Sequence, residues 1–202
     1  ILEIKSGDKV YIVEGYSSEQ KPGAMATGIA GCIDVETTGL NPFSDEIVEL
    51  ALVLFHYDQH GIQEIVDRYS GLREPQCEIS AGAQRVHGLS MEDLAGQSLD
   101  LPRIKEMVAR ADFLLAHNAS FDKGFVRRIL PETRTKSWYC SMTGIKWSRG
   151  RGLQDLLDGH GIEPDQSHRA LSDVEGLLEL LGCTNRQGKT YFAELISRKP
   201  LF

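Results

Sequence analysis

Asp34 and Glu36 stand one residue apart in the apolar run "CIDVETTGL", residues 32–40. A strand repeats every two residues, so both carboxylates point to the same face. Like charges side by side repel, and burying them without partners is costly. Either the pair sits in solvent at a strand's end or a cation lies between them. Two further acids lean toward apolar surfaces. In "HRALSDVEGLLELL" the apolar stripe is Ala170, Val174, Leu177, Leu178 and Leu181. Asp173 lies three after Ala170 and four before Leu177, on or beside that stripe. In "LLAHNASFDKGFVRRIL" Asp122 shares a face with Phe125, Val126 and Ile129. An acid in a first helical turn is also what the helix dipole favours, and that is the plainer reading of each. Taken together, the four acids lie where strand ends meet helix starts, the place where α/β sites gather. Such a cluster would be untenable without cations. Oxygen-rich sets suit Mg²⁺ or Mn²⁺. Two such ions, ~3.5–4 Å apart, are a recurring device for phosphodiester cleavage. The pair in "DVE" then reads as two metal ligands, with Asp34, the more central, bridging both ions. His168 precedes the helix of Asp173 and completes the set as a neutral general base. Alone, a His there is more often a surface residue or a cap.

The elements that must hold these groups follow from periodicity. "IAGCIDVETT" reads as a strand, "NPFSDE" as a turn, and "IVELALVLFHYD" and "IQEIVDRYSGLRE" as two more strands. Helical patterns follow in "SAGAQRVHGLS", "MEDLAG" and "LPRIKEMVARA". "DFLLAH" is a short buried strand, "SFDKGFVRRIL" a helix stopped by Pro131, and "TKSWYCS" a strand. "GLQDLLDGHGI", "HRALSDVEGLLELLG" and "KTYFAELISR" are helices. Three strands followed by alternating helix and strand make an α/β domain with a mixed sheet. Ahead of it, "ILEIKSGDKVYIVEG" alternates and breaks at Ser6-Gly7-Asp8, as a β-hairpin does, and "SSEQKPGAMATG" reads as a linker. The expected division is 1–28 for hairpin and linker, 29–202 for the α/β domain.

Hydrophobic residues at 41% and charged residues at 25% are globular proportions. No apolar run is long enough to span a bilayer, and no signal-peptide pattern opens the chain. The four Cys, at 32, 77, 140 and 183, form no C-x-x-C pair. That spacing suggests neither disulfide framework nor zinc site and fits a reducing cytoplasm. A net charge of -7 argues against a general nucleic-acid coat. Yet residues 123–151 carry Lys123, Arg127, Arg128, Arg134, Lys136, Lys146, Arg149 and Arg151 against the single acid Glu132. The segment is a local phosphate-binding surface or merely a solvated face.

The motif D-x-E in "DVETTGL", then "HNASFD", then H-x-x-x-x-D in "HRALSD", resembles the DEDDh (DnaQ-like) exonucleases. That group includes the proofreading epsilon subunit of bacterial replicative polymerases. The resemblance covers roughly residues 29–182, and an ordered trio is far more specific than a lone D-x-E. It implies a ribonuclease-H-like fold with a mixed five-stranded sheet flanked by helices. It also implies stepwise 3′→5′ hydrolysis to nucleoside 5′-monophosphates. Asp34, Glu36, Asp122 and Asp173 would be metal ligands and His168 the base. Leu40 would wedge against the terminal base, and Thr37 would contact the terminal nucleotide. "RVHGLS" would put His87 beside that nucleotide, with Asn118 and Phe121 lining the same cleft. Core packing is the alternative role for Leu40 and Phe121, and capping for Asn118. The function expected is a metal-dependent DNA exonuclease of proofreading or repair, acting on single-stranded 3′ ends with two Mg²⁺ or Mn²⁺ ions. An RNA 3′-end trimmer of the same superfamily and a catalytically inactive nucleic-acid-binding module are the alternatives. Partners would be nucleic acid and a DNA polymerase. The apolar tail "RKPLF" faintly resembles a sliding-clamp peptide, though it lacks the leading Gln. No membrane partner is expected.

Overall fold

A computed structural model of the chain describes residues 28–148, 150–165 and 167–202, and the backbone of 2–6 and 9–13. All of the expected linker but Gly28, together with Arg149 and Gln166, lies outside the described residues, and Gly28 opens a strand of the main sheet. Strands β1 (Leu2–Ser6) and β2 (Lys9–Val13) pair antiparallel, as the alternating pattern around Ser6-Gly7-Asp8 implies.

The main sheet has five strands: β3 (Gly28–Thr37), β4 (Ile47–Tyr57), β5 (Ile62–Leu72), β6 (Phe113–Ala116) and β7 (Ser137–Cys140). Their spatial order is β5-β4-β3-β6-β7. β3 pairs antiparallel with β4 and parallel with β6, so the sheet is mixed and β3 lies at its centre. Alternation along β3 divides the interior into two cores. Ala30 and Cys32 face one core; Ile33 and Val35 face the other. The first is filled by α6 (Leu153–His160), α7 (Ala170–Gly182) and α8 (Tyr191–Ile196). The second is filled by α3 (Leu101–Arg110) and α4 (Ala119–Ile129).

β4 is buried on both faces from Ile47 to Phe55, which is why it reads as a nearly unbroken apolar run. The α7 stripe read from sequence is buried in full, Ala170, Val174, Leu177, Leu178 and Leu181 included. The described residues also include three short helices, α1 (Ala81–His87), α2 (Met91–Leu94) and α5 (Ser141–Gly144), and a 3₁₀ turn, Pro131–Arg134. Ser80 caps α1, and a Ser90–Asp93 capping box starts α2. No described helix is long and apolar enough to cross a membrane.

Candidate active site

The evenness of the strand period settles where the first two acids point. Asp34 and Glu36 share parity with Ala30 and Cys32, so they face the α7 side of the sheet. Asp173, in the first turn of α7, meets them there. One carboxylate oxygen from each of Asp34, Glu36 and Asp173 lies within 4.8 Å of the others. Asp122 comes from the opposite layer, at the start of α4, and is buried. Against that burial, its own backbone N–H and that of Val35 favour its charged form. Asp122 therefore stands apart from that trio of oxygens, yet it lines the same cleft.

Crowding shows in the ionisation of these groups. Burial, then Asp122 and Glu36, push the Asp34 carboxyl well above the usual range. Burial, then the fields of Asp173 and Glu49, raise Glu36 to about 8. Burial raises Asp122 to about 7. Asp173 is also raised by burial, opposed by His168 and by Gln154, whose Nε2 donates to Oδ1 at 2.9 Å. Four carboxyls that resist ionising together are a donor set that needs cationic charge, and their all-oxygen chemistry fits hard divalent ions.

The cleft encloses about 390 Å³. Asp34, Glu36, Asp122, Asp173, His168, Asn118 and Phe121 all line it. His168 is exposed and holds φ +60, an unusual backbone state for a non-glycine residue. Asn118 sits at the N-cap of α4 but makes no side-chain cap hydrogen bond, so capping does not occupy its amide. Phe121 leans on Phe125 with ring centroids 4.9 Å apart. Leu40 is 84% exposed, so it is not packed in the core. Thr37 is buried, and its hydroxyl donates to the Gly39 carbonyl at 2.6 Å. His87 is buried beneath the same turn. Its Nδ1 accepts from the Leu89 N–H at 3.0 Å, which leaves Nε2 to donate to the Thr37 carbonyl at 3.3 Å. Burial lowers its pKa, consistent with a neutral ring. His87 thus bears on the Thr37 backbone rather than lining the acid cleft.

Four residues matter that sequence patterns left unmarked. Glu49 on β4 is buried and accepts from Arg169 Nε at 3.0 Å, from a second Arg169 nitrogen at 3.0 Å and from the Ala170 N–H at 3.3 Å. Gln154 orients Asp173. His117 must donate from Nε2 to the Arg151 carbonyl at 2.6 Å, so Nδ1 accepts from Ser141 Oγ at 2.8 Å. That bond fastens the loop leading to Gly152, one wall of the cleft. Only burial of a Glu in an apolar strand hinted at any of them.

A family model described as Exonuclease (RNase_T) matches residues 32–181. The PolC-type DNA polymerase III of Thermotoga petrophila is 32% identical over 152 residues, 70% of this chain and 11% of that protein. The same polymerase of Bacillus subtilis is 30% identical over 177 residues, covering 80% of this chain and 12% of that one. The chain thus spans about a tenth of the length of these relatives. Among solved structures, exonuclease X in complex with 5′ overhanging duplex DNA matches with TM-score 0.54 at 28% identity, over 80% of this chain and 98% of that one. Exonuclease I of E. coli, in complex with a dA16 oligonucleotide, matches with TM-score 0.59 over 76% of this chain and 40% of that one. Its 16% identity speaks to the fold alone.

Proposed function

The chain belongs to the exonuclease family, and from that premise we propose that it hydrolyses DNA stepwise from a free 3′ end to nucleoside 5′-monophosphates. The observation that carries this reading is the convergence of Asp34, Glu36 and Asp173 within 4.8 Å, with Asp122 in the same cleft. These four acids would hold two divalent cations, Mg²⁺ or Mn²⁺. Ions bound there would make water a better nucleophile and offset charge on the leaving oxygen. His168, exposed at the lip, takes the proton as water attacks phosphorus. Gln154 keeps Asp173 turned inward. Leu40 presses on the terminal base, and Thr37, ordered by His87, presents the turn against which the terminal nucleotide rests. Asn118 and Phe121 form the opposite wall.

DNA is the proposed substrate because the relatives are DNA polymerases and exonuclease X, 28% identical, was captured with duplex DNA. A DNA polymerase is the proposed partner for the same reason. A sliding clamp would have to take the C-terminal tail. There Leu201 and Phe202 are half-exposed, while their backbone pairs with Trp138. The cytoplasmic setting expected from the cysteine spacing is part of this proposal. The test is a 5′-labelled single strand, as DNA and as RNA, with Mg²⁺ or Mn²⁺ and with EDTA. The expected result is a ladder of DNA shortened one nucleotide at a time, abolished by EDTA and slowed by a 3′-phosphate. Cleavage in excess EDTA, or nicking of closed circular single strands, would overturn the reading.

A further inference from the structure

A second cavity, about 360 Å³, lies between the loop that follows β3 and α4. Pro42, Phe43, Gly124, Arg127, Arg128 and Arg134 line it. In a chain of net charge -7, this groove gathers three arginines and no carboxylate. All three are exposed. Arg128 donates to the Asp45 carbonyl at 3.4 Å, which ties the loop to α4 without neutralising the charge. The loop packs against α4 at Gly124, where a Cβ would be in ordinary van der Waals contact with the Pro42 ring at 3.4 Å. Phe43 caps the groove with a side chain 80% exposed, a poor arrangement for a core residue and a good one for a stacking platform. Groove and cleft both border α4, and one helical stripe runs from the cleft to the groove. Phe121, Gly124 and Arg128 are spaced i, i+3, i+7, so they share a face of α4. Phe121 belongs to the cleft, the other two to the groove. The stripe is about 10 Å long at 1.5 Å per residue, the rise of roughly three stacked nucleotides.

We propose that this groove is a second nucleic-acid subsite. It holds the single strand 5′ of the nucleotides in the cleft, with phosphates on Arg127, Arg128 and Arg134 and a base stacked on Phe43. The proposal rests on the nuclease reading of the cleft and names how the strand leaves it. A basic groove paired with an exposed aromatic is what sequence-independent single-strand binding requires. An acidic peptide would satisfy the arginines but has no use for the stacking face or for the stripe that leads to the cleft.

The test is equilibrium binding by fluorescence anisotropy in Ca²⁺, using phosphorothioate single strands that resist cleavage, one dinucleotide-sized and one several times longer. The variants are Phe43→Ala and the double charge reversal Arg127→Glu with Arg134→Glu, all at exposed positions. Affinity for the longer strand should fall about tenfold or more in each, while that for the short one moves less than about twofold. The charge reversal should also flatten the salt dependence by roughly 0.7 in log–log slope per lost phosphate contact. Equal losses for both lengths, or none for the longer, would overturn the proposal. So would a loss confined to duplexes with recessed 3′ ends, which would assign the groove to the opposing strand. Displacement of a polyglutamate peptide with the longer strand unaffected would overturn it too. Wild-type protein that binds the longer strand through these residues yet never cuts it would support the groove and fault only the nuclease reading.

Discussion

Glu36 and Glu49 face each other across β3 and β4, on the same side of one sheet, and they live in opposite circumstances. Glu49 is 3% exposed and has donors on both oxygens, two from Arg169 and one from the backbone of Ala170. Glu36 has Asp34 and Asp173 as neighbours, and Arg169 reaches it through its field, too weakly to keep its carboxyl from rising to about 8. The difference separates an acid whose charge the fold already balances from one whose charge it leaves unbalanced. A buried carboxylate with a full set of donors needs nothing further. One surrounded by other carboxylates is stable as an anion only when positive charge arrives. The two are linked, because the arginine that satisfies Glu49 sits beside His168 and opens the helix that carries Asp173.

The largest effect should come from the unsatisfied side of this comparison. Asp34→Ala removes the most central of the clustered oxygens, so exonuclease turnover should drop below detection at any Mg²⁺ or Mn²⁺ concentration, measured on a labelled single strand. Retained turnover would mean the cluster is as structural as Glu49. Next is His168→Ala, which leaves the acids in place. Loss of a positioned base typically lowers rate ~10²–10⁴-fold, and kcat should fall within that range while metal-dependent DNA binding persists. Near wild-type kcat would make His168 a backbone device only, its φ +60 serving the turn into α7.

Glu49→Gln tests the satisfied side, with a smaller effect of a different kind. The volume stays and the charge goes. Arg169 then swings toward Glu36 and competes for the place of a cation. Residues that support metal ligands typically alter metal affinity or activity by about 10–100-fold. The Mn²⁺ concentration for half-maximal activity should rise within that range, with kcat at saturation closer to wild type. A fall in kcat that excess Mn²⁺ cannot restore would show that Glu49 acts on His168 instead.

How much of this was legible in the sequence follows from the range of each interaction. Asp34 and Glu36 stood out because strand parity is a local property, and Asp122 and Asp173 because helical faces are. The strands and the long helices were legible for the same reason, while the five-stranded sheet came from the family resemblance. Glu49 and Arg169 are 120 residues apart, and no periodicity joins them. Gln154 and His117 likewise acquire meaning from distant partners. Short elements escaped as well, among them α5 and the 3₁₀ turn Pro131–Arg134, since a single turn carries no period to read. The basic segment, uniform as text, separates in space. Lys136 donates to the Ala109 and Ala111 carbonyls, Lys123 lies over the Phe202 ring at 4.3 Å, and three arginines form the groove.

The smallest effect, and the one that probes the comparison without any mutation, is the response of metal-free stability to pH. Glu36 rises from an ordinary 4.5 to about 8 in the folded chain, and Asp122 from 3.8 to about 7. Between those values the folded state holds protons that the unfolded state has released. Stability therefore falls as pH rises through that window, because the native chain must either keep protons or bear crowded anions. Each such proton contributes a slope of at most about 1.4 kcal/mol per pH unit. Partial solvent access and the coupling among the acids reduce the total to roughly a few kcal/mol. In EDTA, Tm should decline from about pH 5 to about pH 8 and level off above. Excess Mn²⁺ supplies the missing positive charge and should raise Tm, by an increment that grows with pH. Glu36→Gln should flatten the upper part of the EDTA profile, since the amide has no proton to lose, while Glu49→Gln, which removes one of the charges that raise Glu36 and turns Arg169 toward it, should draw the upper end of the window to lower pH. A flat or rising Tm in EDTA across that range would show that the clustered acids already have partners as good as those of Glu49. The distinction between the two glutamates would then fail.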